Sequence, residues 1–238
     1  RGCSTAGAAG SAGPRSAAYT GRHPLPGLEP FARTLGAWGI GPETQVVVYD
    51  AQGGTYAGRA WWMLRWVGHQ AVALLDGGVD AWTAAGGRLE TGGPGASAAA
   101  ARSAYPVGAV PAVPVMDAAT LERQLGRVRV IDARTTERWR GENETLDPVG
   151  GHIPGSTSRF FRDNLGPDGR FKSAEQLRAE FAALGVSDGA GVVHQCGSGV
   201  TACHNLLAME HAGLSGSALY PGSWSEWCAD ASRPVARG

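Results

Sequence analysis

The chain repeats part of its own sequence, and this duplication constrains the fold more than any other feature. The segment 46–53, Val-Val-Val-Tyr-Asp-Ala-Gln-Gly, aligns with the segment 192–199, Val-Val-His-Gln-Cys-Gly-Ser-Gly. With a one-residue gap, three later pairs also align: Gly68 with Gly213, Gly77 with Gly222, and Trp82 with Trp227. Each copy predicts a strand, a glycine turn, a helix and a second strand. We therefore expect an α/β protein with two similar domains, each a mostly parallel sheet flanked by helices.

The two copies differ at their upstream ends. The second copy is preceded by a predicted strand, Arg129–Asp132, by the turn sequence Gly-His-Ile-Pro-Gly at 151–155 and by a predicted helix over 173–184, whereas residues 1–45 contain no such turn sequence. We therefore predict a first domain over 1–90 that lacks its N-terminal part and is only marginally stable. A Gly-, Ala- and Pro-rich linker over 91–114 is expected to connect it to a second domain over 115–238.

Composition excludes several functional classes. Formal net charge is zero, with 21 basic and 21 acidic residues, so neither nucleic acid nor a membrane surface is expected as a partner. No apolar run reaches the roughly 18 residues that span a bilayer, and the first 20 residues lack the apolar core of a signal peptide. The four cysteines (Cys3, Cys196, Cys203 and Cys228) match no zinc-site spacing, so no metal and a reducing, cytoplasmic location are expected.

Cys196 is the strongest candidate for a reactive side chain. It ends the apolar run 191–195, and a Gly-Ser-Gly turn and a predicted helix over 200–210 follow it. This arrangement directs backbone N–H groups and a helix N-terminus at the sulfur, which favours a thiolate nucleophile over a buried structural cysteine. The predicted active-site loop comprises Gly197, Ser198, Gly199, Val200, Thr201 and Ala202.

The residues in and around that loop limit which kind of substrate Cys196 can attack. Cysteine phosphatases need a cation six positions after the nucleophile, and Ala202 occupies this position. Acyl transfer needs a histidine against the sulfur, and His194, two residues earlier on the strand, lies too far along the chain for direct proton transfer. We therefore assign His194 a structural role and expect neither phosphoryl nor acyl transfer.

Four motifs together resemble the tandem-domain rhodanese family, and more narrowly its 3-mercaptopyruvate sulfurtransferases. They are the loop 196–202, Gly-His-Ile-Pro-Gly, Asp132-Ala-Arg followed by Arg138, and Gly-Ser-Trp-Ser-Glu-Trp at 222–227. The resemblance implies an inert first domain, which agrees with Asp50 at the position of Cys196, and a catalytic second domain. It implies that sulfur passes from a small donor to Cys196 as a persulfide, then to a thiol, thioredoxin or cyanide, without a cofactor.

The loop side chains indicate which donor is used. Family members that use thiosulfate resemble Cys-Arg-Lys-Gly-Val-Thr, and here Gly197 and Ser198 replace the two cations. A neutral loop favours 3-mercaptopyruvate over dianionic thiosulfate, and Ser198 can relay a proton to the leaving enolate. The alternatives are a thiosulfate:cyanide sulfurtransferase and a non-enzymatic persulfide carrier or binding module.

The resemblance also suggests how the donor is held. Arg138 corresponds to the arginine that binds the donor carboxylate, while the family's second arginine, present in animal members, is Asp147 here. Arg159 is predicted to substitute for it, and Trp224 to form a wall of the pocket. In longer members of the family, an aspartate and a histidine of the first domain approach the serine of the cysteine loop. We expect both residues to be missing here. Structural roles are predicted for Asp132, Arg134, His152, Cys203 and the cluster Trp61, Trp62 and Trp66.

Overall fold

The structure, a computed structural model, describes residues 19–91 and 105–238. Predictions that concern Cys3, the start of the first domain and residues 92–104 of the linker lie outside this range. The first half contains five elements in the order helix, strand, helix, strand, helix: α1 (Leu28–Ala37), β1 (Val46–Val48), α2 (Ala57–Trp66), β2 (Val72–Leu74) and α3 (Gly78–Ala84). Strands β1 and β2 pair in parallel, with Val46 opposite Val72 and Val48 opposite Leu74.

The second half forms a four-stranded parallel sheet in the order β4-β3-β5-β6. Its elements are α4 (Ala118–Arg123), β3 (Arg129–Asp132), α5 (Thr136–Arg140), β4 (Thr157–Ser158), a 3₁₀ turn (Phe161–Asn164), α6 (Ala174–Ala183), β5 (Val192–Gln195), α7 (Ala202–His211), β6 (Ala218–Leu219) and α8 (Ser223–Trp227). All four residues of the central strand β5 are buried. The predicted α/β architecture with parallel sheets is confirmed.

The local predictions agree closely with these bounds. The strand predicted at Arg129–Asp132 is present as β3. The helix predicted over 173–184 is α6, which begins after Ser173 because the Ser173 hydroxyl accepts from the N–H of Gln176 in a reciprocal capping box. The helix predicted over 200–210 is α7, which starts two residues later at Ala202 because the glycine turn extends further.

A shared apolar core joins the two halves. Trp61 and Trp62 on α2 and Cys203 and Leu206 on α7 belong to one buried cluster. The helices approach closely at Gly58, where an added Cβ would lie 3.4 Å from the backbone of His204. The prediction that the tryptophans of α2 serve the core or the contact between halves is confirmed.

The described part of the linker is packed rather than free. Tyr105 is buried, and its N–H donates to the carbonyl of Ala32 at 3.0 Å. Further on, the N–H of Ala112 donates to the carbonyl of Trp66 at 2.9 Å. The path of residues 105–112 is thus fixed against the first half. No helix in the described ranges is long and apolar enough to cross a membrane.

Candidate active site

The cysteine loop, residues 196–201, connects the end of β5 to the start of α7. Gly199 has a φ of +77°, which favours glycine, and a Cβ there would collide with the carbonyl oxygen of Pro221. The aligned residue of the first half, Gly53, has a φ of +68°. The duplicated sequence therefore makes the same sharp turn in both halves.

Contacts from outside the loop fix its carbonyl groups. The carbonyl of Cys196 accepts from the N–H of Trp224 at 2.9 Å, and that of Gly197 accepts from the N–H of Ser225 at 2.9 Å. From the first half, Arg59 on α2 donates to the carbonyl of Gly199 at 2.8 Å. These three contacts from α8 and α2 hold the loop in one conformation.

Five consecutive backbone N–H groups of the loop, Gly197–Thr201, donate no hydrogen bond to any residue within 19–91 or 105–238. Unpaired donors of this kind at a strand–helix junction are suited to an anion. The N–H of Cys196 itself donates to the hydroxyl of Ser223 at 3.1 Å. The loop therefore offers an anion-binding turn next to the sulfur.

The first half shows the same turn with an anion in place. The carboxylate of Asp50, which aligns with Cys196, accepts four backbone N–H groups at 2.8–2.9 Å, from Gln52, Gly54, Tyr56 and Ala57. Burial alone would raise the pKa of Asp50, but these bonds outweigh it and hold the pKa below the usual value of an aspartate. The duplicated turn is thus able to stabilise a negative charge, and in the first half its own side chain supplies that charge.

Cys196 is 2% exposed and packs at the edge of the shared core. None of the hydrogen bonds of the described residues ends on its sulfur, so the expectation that loop N–H groups point at Sγ stays a prediction. The sulfur does lie within electrostatic range of a buried cation. Burial opposes the charge of Arg134, but Asp132, Glu144 and Cys196 together raise the pKa of that guanidinium.

Ser198 is contacted by a histidine of the first half that sequence reasoning missed. Nδ1 of His23 and the hydroxyl of Ser198 share a hydrogen bond of 2.7 Å. Arg59 fixes this histidine by donating to its carbonyl at 2.8 Å, in addition to its bond to Gly199. The prediction that no first-domain histidine reaches the serine is wrong. The available signal was the turn-rich sequence Gly-Arg-His-Pro-Leu-Pro-Gly at 21–27, in which a histidine and prolines lie between two glycines, as a histidine and a proline do in Gly-His-Ile-Pro-Gly.

Arg138 on α5 lies next to the cysteine loop, since a Cβ placed on Gly197 would lie 3.5 Å from both terminal nitrogens of its guanidinium. Its role in binding the donor stays a prediction. Its guanidinium donates to Glu144 at 2.8–3.1 Å and reaches Asp147 at 3.3 Å. Burial works against ionisation of Glu144, yet its bonds to Arg138 and to backbone N–H groups hold the pKa of that carboxyl below its usual value. Burial raises the pKa of Asp147 in spite of the neighbouring guanidinium of Arg22.

Two predicted substrate contacts are wrong. Arg159 is 8% exposed, donates to Asn164 at 2.9–3.1 Å and to Glu180 at 2.8 Å, and lies over the ring of Phe181. Its guanidinium therefore stabilises the packing of α6 rather than a donor. Trp224 is fully buried and donates to the carbonyl of Val149 at 2.8 Å, so it belongs to the core and forms no wall of an open pocket. The N–H of Trp224 also donates to the carbonyl of Cys196 at 2.9 Å, which holds α8 against the loop.

The residues predicted to be structural are buried and packed against neighbouring groups. His194 is fully buried with Nε2 3.0 Å from the sulfur of Met209, and burial lowers its pKa to about 3. His152 stacks on Trp139 and bonds to its carbonyl at 2.8 Å. Cys203 is buried, and burial raises the pKa of its thiol. Burial likewise raises the pKa of Cys228 to about 11, which disfavours a reactive thiolate there.

Comparison with known proteins gives consistent matches over both halves. A family model described as a rhodanese-like domain matches residues 16–85 and 117–230. A probable 3-mercaptopyruvate sulfurtransferase of Pseudomonas aeruginosa is 49% identical over 226 residues, covering 92% of this chain and 77% of the relative. A putative thiosulfate sulfurtransferase of Mycobacterium tuberculosis is 38% identical, covering 92% of this chain and 76% of the relative. The structure of 3-mercaptopyruvate sulfurtransferase from Leishmania major superposes with a TM-score of 0.77 at 30% identity, over 90% of this chain and 59% of that one.

Proposed function

This chain belongs to the rhodanese family and is a sulfurtransferase, and we propose that it takes sulfur from 3-mercaptopyruvate through a persulfide on Cys196. The observation that carries the proposal is that the N–H groups of Gly197–Thr201, next to the sulfur, donate to no residue of the described ranges 19–91 and 105–238. The aligned turn of the first half holds the Asp50 carboxylate with the same kind of donors. An anionic persulfide on Cys196 would be stabilised in the same way.

The proposed reaction has two steps. In the first, the thiolate of Cys196 attacks the donor sulfur, the carbon–sulfur bond of mercaptopyruvate breaks, and its electron pair leaves with the enolate of pyruvate, which takes up a proton. In the second, an acceptor thiolate, such as that of a small thiol or a thioredoxin-like protein, attacks the outer sulfur and Cys196 leaves as a thiolate. With cyanide as acceptor the product is thiocyanate. Separating the transfer into these two steps predicts ping-pong kinetics.

Ser198 and His23 are proposed to deliver the proton that the enolate needs. Ser198 is next but one to Cys196, and its hydroxyl is bonded to the ring of His23, which is exposed and can exchange protons with solvent. The loss of sulfite from thiosulfate needs no such proton. Loss of the proton relay should therefore slow the turnover of mercaptopyruvate more than the turnover of thiosulfate.

His23→Gln is expected to lower kcat/KM for mercaptopyruvate by about 10- to 100-fold, the usual range for one proton-transfer group. Turnover of thiosulfate, followed as thiocyanate formation, should change less than threefold, roughly the effect of a lost surface contact. The matched control is His211→Gln, since His211 is an exposed histidine at the end of α7. Equal losses with both donors would contradict the relay and assign His23 to loop packing.

Thiosulfate is the second candidate donor, because the relative from Mycobacterium tuberculosis carries the name of a thiosulfate sulfurtransferase. We prefer mercaptopyruvate because the loop residues Gly197 and Ser198 carry no charge. The kcat/KM values of the two donors decide between these candidates. A larger value for thiosulfate would reverse our choice.

The direct test is intact-mass measurement after the reduced protein is mixed with mercaptopyruvate and excess reagent is removed. We expect the gain of one sulfur atom, mapped to the peptide that contains Cys196, and one pyruvate released per sulfur gained. Addition of a thiol should restore the original mass and permit further pyruvate release. A sulfur atom that is gained but never passed on would favour the alternative of a non-enzymatic persulfide carrier. No gain of sulfur at all would rule out the proposed reaction.

A further inference from the structure

Each half contacts the turn of the other half through one backbone carbonyl. Gly53 and Gly199 occupy aligned positions in the two turns. The carbonyl of Gly199 accepts from the guanidinium of Arg59 on α2 at 2.8 Å. The carbonyl of Gly53 accepts from Nε2 of His204 on α7 at 3.0 Å. The packing of α2 against α7 therefore brings a side chain of each half to the aligned glycine carbonyl of the other.

The contact made by Arg59 continues to a second group beside the cysteine loop. Its Nη2 donates to the carbonyl of His23 at 2.8 Å and to that of Pro24 at 3.4 Å. Within residues 19–91 and 105–238, no other group donates to the carbonyl of His23. The ring of His23 shares its hydrogen bond of 2.7 Å with Ser198. The planar guanidinium thus fixes the spacing between the cysteine loop and the backbone of this histidine.

Loss of the guanidinium would affect the loop and the histidine unequally. The carbonyl of Gly199 would keep a second partner, the thiol of Cys203, whose Sγ lies 3.4 Å away. Two other loop carbonyls would keep their bonds from α8. The carbonyl of His23 would keep no partner in the described part of the chain. Removal of Arg59 is therefore expected to displace His23 more than the loop.

We propose that Arg59 is a positioning residue which sets the donor specificity of the enzyme by holding His23 against Ser198. The inference rests on the proposed proton relay. A displaced imidazole would deliver fewer protons to the enolate of pyruvate, because proton transfer needs the two groups within about 2.6–3.2 Å. Sulfite leaves thiosulfate without taking up a proton. The ratio of the two donor activities therefore depends on a first-half residue that acts through its neighbours.

The test is a single-turnover measurement of sulfur gain by Cys196, with mercaptopyruvate and with thiosulfate as donors. Arg59→Gln should lower the maximal rate constant for mercaptopyruvate by about 5- to 30-fold, less than a complete loss of the histidine ring. The mercaptopyruvate concentration that gives half of this maximal rate should change less than about threefold, because donor binding is not altered. The rate constant for thiosulfate should stay within about threefold of wild type.

Two further variants separate positioning from a general weakening of the contact between the halves. His204→Leu is the matched control, because it removes the reciprocal bond to Gly53 and leaves His23 and Arg59 in place. It should lower Tm and leave the ratio of the two donor rates unchanged. In the His23→Gln background, Arg59→Gln should cost less than a further threefold with mercaptopyruvate, since no ring remains to be positioned.

The outcomes distinguish this inference from the relay on which it rests. A wild-type donor ratio in Arg59→Gln, together with an altered ratio in His23→Gln, would overturn this inference alone. Equal slowing of both donors by Arg59→Gln, or independent effects of Arg59→Gln and His23→Gln, would assign Arg59 to packing and would also overturn it. If His23→Gln itself leaves the donor ratio unchanged, the relay is wrong and this inference fails with it.

Discussion

Cys196→Ser is expected to lower turnover at least 1,000-fold, to about the level seen when other enzymes lose their nucleophile. A serine hydroxyl is nearly the same size, but it is rarely ionised and cannot form a persulfide. The mass gain after incubation with mercaptopyruvate should disappear, and circular dichroism should remain that of the wild type. The loop should keep its shape, because its fixed contacts use backbone atoms of Cys196 and not its sulfur.

Cys228→Ala is the matched control for this experiment. Cys228 is also buried, at 7% exposed, but it lies in a separate apolar cluster of the second half. This variant should gain sulfur at the wild-type rate. Persistent sulfur gain in Cys196→Ser, mapped to Cys203, would contradict the assignment of the nucleophile.

Arg134→Ala is expected to lower the free energy of unfolding by about 3–5 kcal/mol, the typical cost of removing one partner of a buried ion pair. Arg134 donates to Asp132 at 2.7–3.1 Å and to the carbonyl of Gly151 at 2.7 Å. Both side chains of the pair are 1% exposed or less. The alanine variant would leave the Asp132 carboxylate buried without its countercharge at the end of β3. Urea unfolding followed by tryptophan fluorescence measures the loss.

Arg129→Ala on the same strand is the control, because Arg129 is exposed. This substitution should lower the free energy of unfolding by less than about 1 kcal/mol. The double variant Asp132→Asn with Arg134→Ala should recover part of the lost stability, since it removes the uncompensated charge. If Arg134→Ala unfolds at the same urea concentration as Arg129→Ala, the buried pair does not stabilise the fold as described.

The sequence predicted the repeating architecture well because local patterns determine it. The apolar run of β3 and the serine cap of α6 are readable within a few residues of each element. The cysteine loop was predictable for the same reason, since a glycine with positive φ is needed where the strand turns into the helix. In each case the residues that determine the structure are neighbours in the chain.

The contacts around the cysteine loop were harder to predict because the residues that make them are distant in sequence. His23 meets Ser198 across 175 residues, and Arg22 meets Asp147 across 125. These contacts depend on how α2 packs against α7, which no local pattern specifies. The predictions for Arg159 and Trp224 rest on their residue types and on their places, just past the Gly-His-Ile-Pro-Gly turn and within the motif at 222–227. The structure shows that packing partners such as Asn164 and Val149 had already engaged their polar groups.

Arg59 joins the two halves at the point where the chemistry is proposed to occur. One nitrogen of its guanidinium holds the carbonyl of Gly199, and the other holds the carbonyl of His23. The cysteine loop of the second half is therefore held in shape by a residue of the first half, which itself carries Asp50 at the position of the nucleophile. The two halves, which share a repeated sequence, therefore depend on each other at this contact.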